Sequence, residues 1–340
     1  MAVRDVVLFF HAALPQYKDW LGRSMKASFK TPPIFIDCGS GRSMKCADAS
    51  EAVPCSKSGK GWGAWLRRYV TTVPRSTNDP QYKADKVTTH VRRAILHNLV
   101  LQNAKNEVSP NDQFRICVVG FSEGCQALKA LLSPQPGGVG MDATYIDSVL
   151  AIDGIHCMKP TWVDPNDGKT KACAASCVKA EMEGWIAYAN LAAWSASPGA
   201  DPSRMLVVTN SATAGPPCCY STAWTSRFIY NSTIAGISAN PTPPLPPGIW
   251  GMQHTPPFIL SAWKATWGSG PATVYNKSQT KSYSGTGNLW IIGYDNIDTP
   301  GSGHNDHVYQ CQVVMPLMME KFLAPRWNGM SPGAGVLVGV

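Results

Sequence analysis

Six short, near-continuously apolar runs constrain the fold of this chain more than any other feature. They are "DVVLFF" (5–10), "PIFID" (33–37), "FRICVVG" (114–120), "SVLAID" (148–153), "RMLVVTN" (204–210) and "LWIIGYD" (289–295). A strand with one face in solvent alternates apolar and polar residues; a strand without that alternation needs cover on both faces. Helix-like segments stand between several of the runs. In "ADKVTTHVRRAILHNLVLQNA", Val87, Val91, Ile95 and Leu99 recur every four positions and form one apolar stripe. "CQALKALL" follows the third run closely and is stopped by "SPQPGG". "HVYQCQVVMPLMMEKFL" keeps Val308, Cys311, Met315, Met318 and Phe322 at helical spacing, and Pro316 is expected to kink it. Buried strands separated by helical crossovers predict an α/β fold, a mostly parallel sheet with helices on both faces.

The same pattern predicts one domain over 1–328, with an irregular excursion at 38–80 rich in Gly, Lys, Ser and Cys. An insertion of about 211–287 precedes the last strand. It contains "NPTPPLPPGIW", an extended polyproline-like stretch, and carries Trp224, Trp250, Trp263 and Trp267. Long insertions on a parallel sheet lie at its carboxyl edge, where ligands bind. The aromatic residues there either line a groove for acyl or sugar groups or pack a small subdomain. The tail, 329–340, lacks periodicity and is expected to be loosely held.

Composition narrows the class. With 340 residues, 44% of them hydrophobic and 15% charged, the chain is of the core-forming globular kind. No apolar run approaches the roughly 20 residues that span a bilayer. "VVLFFHAAL" is interrupted by His11 and led by "MAVRD", so it reads as a first buried strand in preference to a signal peptide. The net charge of +8 is dispersed among acids, as at Lys18, Arg23, Lys26, Lys30, Arg67 and Arg68. That describes a solvated face, or attraction to an anionic surface; there is no nucleic-acid signature. The eleven cysteines are an odd number. Cys173 and Cys177, with His156 and Cys157 upstream, match none of the usual ligand spacings, so no metal and no cofactor is expected.

The third run leads into "GFSEG", residues 120–124, with "ICVV" before it and "CQALKALL" after. Ser122 therefore falls on a sharp strand-to-helix turn. A serine there needs an unusual backbone conformation, and glycines at 120 and 124 let neighbouring chain pass without a clash at Cβ. The N-terminus of the following helix directs N–H groups and a positive dipole end towards developing negative charge.

On this G-x-S-x-G motif and the strand–helix order around it, the chain resembles the α/β-hydrolase superfamily of serine esterases, lipases and cutinase-like enzymes. The order covers most of the chain; "GFSEG" is its one specific motif. The resemblance implies a nucleophile after a central strand, an acid after a later strand and a histidine after the last. Ser122 takes the first place. In "DTPGSGHNDHVYQ" both His304 and His307 have the right order for the base, and His307, at a helix start, is preferred. Asp153 ends the strand "SVLAID", while the next strand ends in Asn210 and Ser211 without a carboxylate, a departure from the commoner superfamily pattern. Asp295 and Asp298 are the alternatives to it. Backbone N–H groups of Glu123 and of Ala12 or Ala13, after His11, would form the oxyanion hole, with alanine standing where superfamily members carry glycine.

The expected activity is hydrolysis of a carboxylic ester through an acyl-enzyme, on a substrate bearing an acyl or polymer chain. The alternatives are an acyltransferase, a cell-envelope lipid esterase, and a non-catalytic binding or virion-associated module on the same fold.

Overall fold

The computed structural model describes residues 2–11, 28–40, 89–132, 146–157, 159–173, 178–192, 204–211, 219–234, 274–275, 289–294, 314–330, 335 and 337–338. In chain order the elements are β1 (Val3–His11), β2 (Ile34–Ser40), α1 (Thr89–Asn103), β3 (Gln113–Phe121) and α2 (Cys125–Leu132). Next come β4 (Ser148–Ile152), β5 (Thr161–Val163), β6 (Thr170–Ala172), α3 (Val178–Ala192), β7 (Met205–Ser211) and α4 (Thr222–Ile234). The last are β8 (Val274–Tyr275), β9 (Leu289–Tyr294), α5 (Met315–Met318), α6 (Ala324–Gly329) and β10 (Leu337–Val338). A 3-10 turn, Ser122–Gly124, joins β3 to α2, and a π-helical turn, Met319–Leu323, joins α5 to α6. The six apolar runs are β1, β2, β3, β4, β7 and β9. The architecture is α/β, with a mostly parallel sheet and helices.

The chain divides into two compact units, Met1–Leu150 with Pro316–Val340, and Ala151–Met315. The division runs through β4, inside the stretch expected to be one domain.

In the first unit the strand order is β2-β1-β3-β4. β1 is parallel to both neighbours, Val6 pairing with Ile34 on one side and Ile116 on the other. Val6 to Phe10 and Ile116 to Val119 are fully buried, as strands without alternation require. α1 buries Leu96, Leu99 and Val100. Leu99 belongs to the expected stripe; Val87 lies outside the described residues. The last helix continues past Leu323 to Gly329, burying Met318, Met319, Phe322, Leu323 and Trp327. Of the tail expected at 329–340, residues 331–334, 336, 339 and 340 lie outside the described residues. Leu337 and Val338 form β10, antiparallel to β3 opposite Arg115 and Phe114.

Two buried charged side chains of this unit, Arg115 and Asp147, are paired. Arg115 grips Asp5, its direct cross-strand partner, through Nε and Nη2, both at 2.7 Å. Asp147, with no exposed surface, accepts hydrogen bonds from Arg326 (3.3 and 3.1 Å), from Trp327 Nε1 (2.9 Å) and from Ser148 Oγ (2.7 Å).

In the second unit the order is β4-β7-β9-β8. β7 and β9 are parallel, Val207 opposite Trp290, and β8 is antiparallel to β9. Parallel neighbours need a crossover connection. α4 lies in it, packed on β7 and α3. The expected insertion of about 211–287 thus contains a crossover helix, α4, and the strand β8. β5 and β6 form a separate two-stranded hairpin whose turn has Gly168 at φ +64°. Trp250, Trp263, Trp267 and "NPTPPLPPGIW" lie outside the described residues.

Candidate functional site

Phe121, the end of β3, is extended at φ −122° and ψ 129°, and Cys125 is helical at φ −66° and ψ −16°. The reversal from strand to helix therefore happens within three residues, and Ser122 takes φ +54° to achieve it. A left-handed backbone at a residue with a Cβ costs about 1–2 kcal/mol. Ser122 is buried, and Glu123 half-buried.

Both glycines of the motif are close-approach positions. A Cβ at Gly124 would lie 2.1 Å from the Phe10 carbonyl oxygen and 2.8 Å from the His11 nitrogen. A Cβ at Gly120 would lie 2.9 Å from both Leu128 methyls and 3.1 Å from Cys125 Cα. The turn carrying Ser122 is thus pressed against the end of β1. Ala12 and Ala13, which follow that end, lie outside the described residues.

His11, the last residue of β1, is buried, and its Nε2 stands 3.0 Å from Asp37 Oδ1 on β2. Its ring lies beside Phe9, centroids 5.2 Å apart. Asp37 carries the same sequence signal as Asp153, a carboxylate closing an apolar run, but "PIFID" by itself predicts only a strand.

In the second unit, Asp153 follows β4 and takes φ +43°. Its N–H donates to the Thr209 carbonyl at 3.0 Å. The side chain is almost wholly buried, and Thr222 Oγ1, on the first residue of α4, donates to Oδ1 at 2.5 Å. Two more bonds stitch the chain after β4 to the start of α4: Thr225 Oγ1 to the Ile155 carbonyl (2.5 Å) and Tyr220 N–H to the Cys157 carbonyl (2.9 Å). Trp224 stacks between Tyr220 (3.8 Å) and Phe228 (5.5 Å). Lys159 Nζ sits 5.6 Å over the Tyr220 ring. Burial, and then the nearby Cys157, raise the Tyr220 hydroxyl above the ordinary tyrosine pKa.

His304, His307, Asp295 and Asp298 lie outside the described residues. Cys173 is disulfide-bonded, so it is not a thiolate available to a metal. Cys38, Cys117, Cys125 and Cys157 are buried thiols and Cys219 is a half-buried one. Burial first, and then neighbouring aspartates, push Cys38 and Cys117 far above the usual thiol pKa, which makes them poor nucleophiles. Among the described residues no three His, Cys, Asp or Glu side chains form a metal-binding group, and no helix is long and apolar enough to cross a membrane.

No protein-family model, no curated protein and no solved structure matches the chain.

Proposed function

We propose that the chain is a serine hydrolase of the α/β-hydrolase kind, cleaving a carboxylic ester through an acyl-enzyme. One observation carries the reading. Among the described residues, Ser122 and Asp153 are the two non-glycine residues with positive φ. They are also the two that the sequence singles out as nucleophile and acid. Strain at non-glycine positions persists where the surrounding structure enforces it, and it concentrates at functional sites.

In the proposed cycle the Ser122 hydroxyl attacks the ester carbonyl while its proton passes to His307, or to His304. The tetrahedral oxyanion is held by backbone N–H groups of Glu123 and of Ala12 or Ala13. Its collapse breaks the bond to the alkoxy group, which leaves as an alcohol with the proton from the imidazole. Water then attacks the acyl-enzyme by the same route, releasing the acid and restoring Ser122. Asp153 orients the imidazole and stabilises its charged form. The close fit of Gly124 against β1 supports the reading, because it brings the strand preceding Ala12 and Ala13 to the turn that carries Ser122.

Turnover of a short p-nitrophenyl ester tests this. Ser122→Ala is expected to lose activity with an unchanged thermal midpoint, and His307→Ala to lose far more kcat than His304→Ala. The opposite ranking of the two histidines moves the base to His304. Full activity in Ser122→Ala removes the nucleophile assignment.

A further inference from the structure

We propose that Thr222 is a positioning residue for the Asp153 carboxylate. This rests on the reading that Asp153 orients the catalytic imidazole, and it adds a residue that the superfamily pattern does not supply. The hydroxyl of a threonine at a helix start ordinarily goes to the helix's own backbone. At α4 the capping is done by Ser221, whose Oγ accepts the Trp224 N–H at 3.2 Å. Thr222 Oγ1 is directed instead to a side chain 69 residues earlier, at 2.5 Å from Asp153 Oδ1. Both residues are buried, at 5% and 2% exposure, so water does not replace this bond.

The donor is itself held in place. Thr225 Oγ1 and the Tyr220 N–H bind the chain just after Asp153, at Ile155 and Cys157, and Ser226 Oγ donates to the Thr222 carbonyl at 2.7 Å. On the other side, the Asp153 N–H is bonded to the Thr209 carbonyl. Backbone and one carboxylate oxygen are therefore fixed together, which sets the plane of the carboxylate and the direction in which its other oxygen accepts an imidazole N–H. The start of α4 also places partial positive charge near an ionised Asp153.

The experiment compares Thr222→Val, which removes the hydroxyl and keeps the shape, with Thr222→Ser, which keeps the hydroxyl. Turnover of a short p-nitrophenyl ester and the thermal midpoint are measured for both, alone and with Asp153→Asn. Thr222→Val is expected to lower kcat about ten- to a hundredfold, the worth of a hydrogen bond to a charged group, with KM unchanged. Thr222→Ser stays near wild type, and in the Asp153→Asn background Thr222→Val costs little further. Thr222→Ala reads the same loss if the valine variant does not fold. Wild-type kcat in Thr222→Val beside a crippled Asp153→Asn overturns the positioning role alone. Equal losses in the valine and serine variants do the same, since they mark a packing effect. A fully active Asp153→Asn overturns the acid assignment and the positioning role together. An inert wild type overturns the hydrolase reading on which both stand.

Discussion

Ser122 and Gly124 illustrate how two adjacent constraints meet in one turn. Ser122 accepts a left-handed backbone so that the chain can pass from strand to helix within three residues. Gly124 makes that geometry possible by leaving room for the Phe10 carbonyl. The two glycines of the motif should differ in their tolerance of a methyl group. At Gly124 the obstacle is backbone, 2.1 Å from the added carbon, so the end of β1 must move. At Gly120 two of the three nearest atoms belong to the Leu128 side chain, which can adjust. Gly124→Ala is expected to cost about 3 kcal/mol, the upper range for overpacking, and Gly120→Ala about 1 kcal/mol. Urea denaturation of the two variants checks the ranking, and equal losses contradict it. The importance of these glycines is legible in "GFSEG" because the motif states its own spacing. The partner that makes Gly124 obligatory is a carbonyl 114 positions away, and no local pattern names it. The His11–Asp37 pair is hidden for a related reason: β1 and β2 are parallel neighbours, and a parallel pair has no tight hairpin turn in the sequence to announce its register.

At the level of elements, continuous apolar runs proved easy to read, because burial on both faces leaves a signature that needs no partner to interpret. All six correspond to strands of the sheet. α4 was harder. "TAWTSRFIYNSTI" mixes Ser, Thr and Asn with aromatic residues, has low intrinsic helix propensity, and forms because Phe228 and Ile229 are buried against the second unit's core. β10 was illegible for a different reason. Two residues carry no periodicity, and only the open flank of β3 near Phe114 makes them a strand. The start of β1 is held in turn by Asp112, which accepts the Ser109 and Ala2 N–H groups at 3.0 and 3.1 Å and pairs with Arg4. Those backbone N–H groups, Ser109 first and then Ala2, hold the Asp112 pKa below the usual aspartate value, with Arg4 adding to them. A carboxyl whose folded pKa is depressed stabilises the fold above its unfolded pKa, and the contribution disappears as pH falls through the folded value. Asp112→Asn is therefore expected to be less stable than wild type at neutral pH. The gap should narrow on acidification below the ordinary aspartate range. A gap that stays constant between pH 7 and pH 2 contradicts the assignment.

On the scale of the whole molecule, each compact unit has its own means of closing its chain. In the second unit the bonds around Asp153 and the stacked Tyr220, Trp224 and Phe228 join the chain after β4 to α4. In the first unit Asp147 fastens the C-terminal helix, and Gly335, at φ +92°, passes so close that a Cβ there would lie 2.6 Å from Asp147 Oδ1. Removing one member of a buried ion pair strands the other, at a cost of about 3–5 kcal/mol. Asp147→Ala should show that loss in urea denaturation, and Asp147→Leu combined with Arg326→Met should recover most of it. A double variant as unstable as the single one contradicts the stranded-charge explanation. The architecture was legible from burial patterns, whereas this node was not: Asp147 and Arg326 stand 179 positions apart in sequences that give no hint of each other. The proposed activity rests on Ser122 being an activated nucleophile, and covalent labelling of the 340-residue chain by a fluorophosphonate probe tests that most directly. Intact-mass and peptide-mapping spectrometry should find a single adduct, on Ser122, and none in Ser122→Ala. A protein that stays unlabelled, or one labelled equally in the alanine variant, contradicts the account.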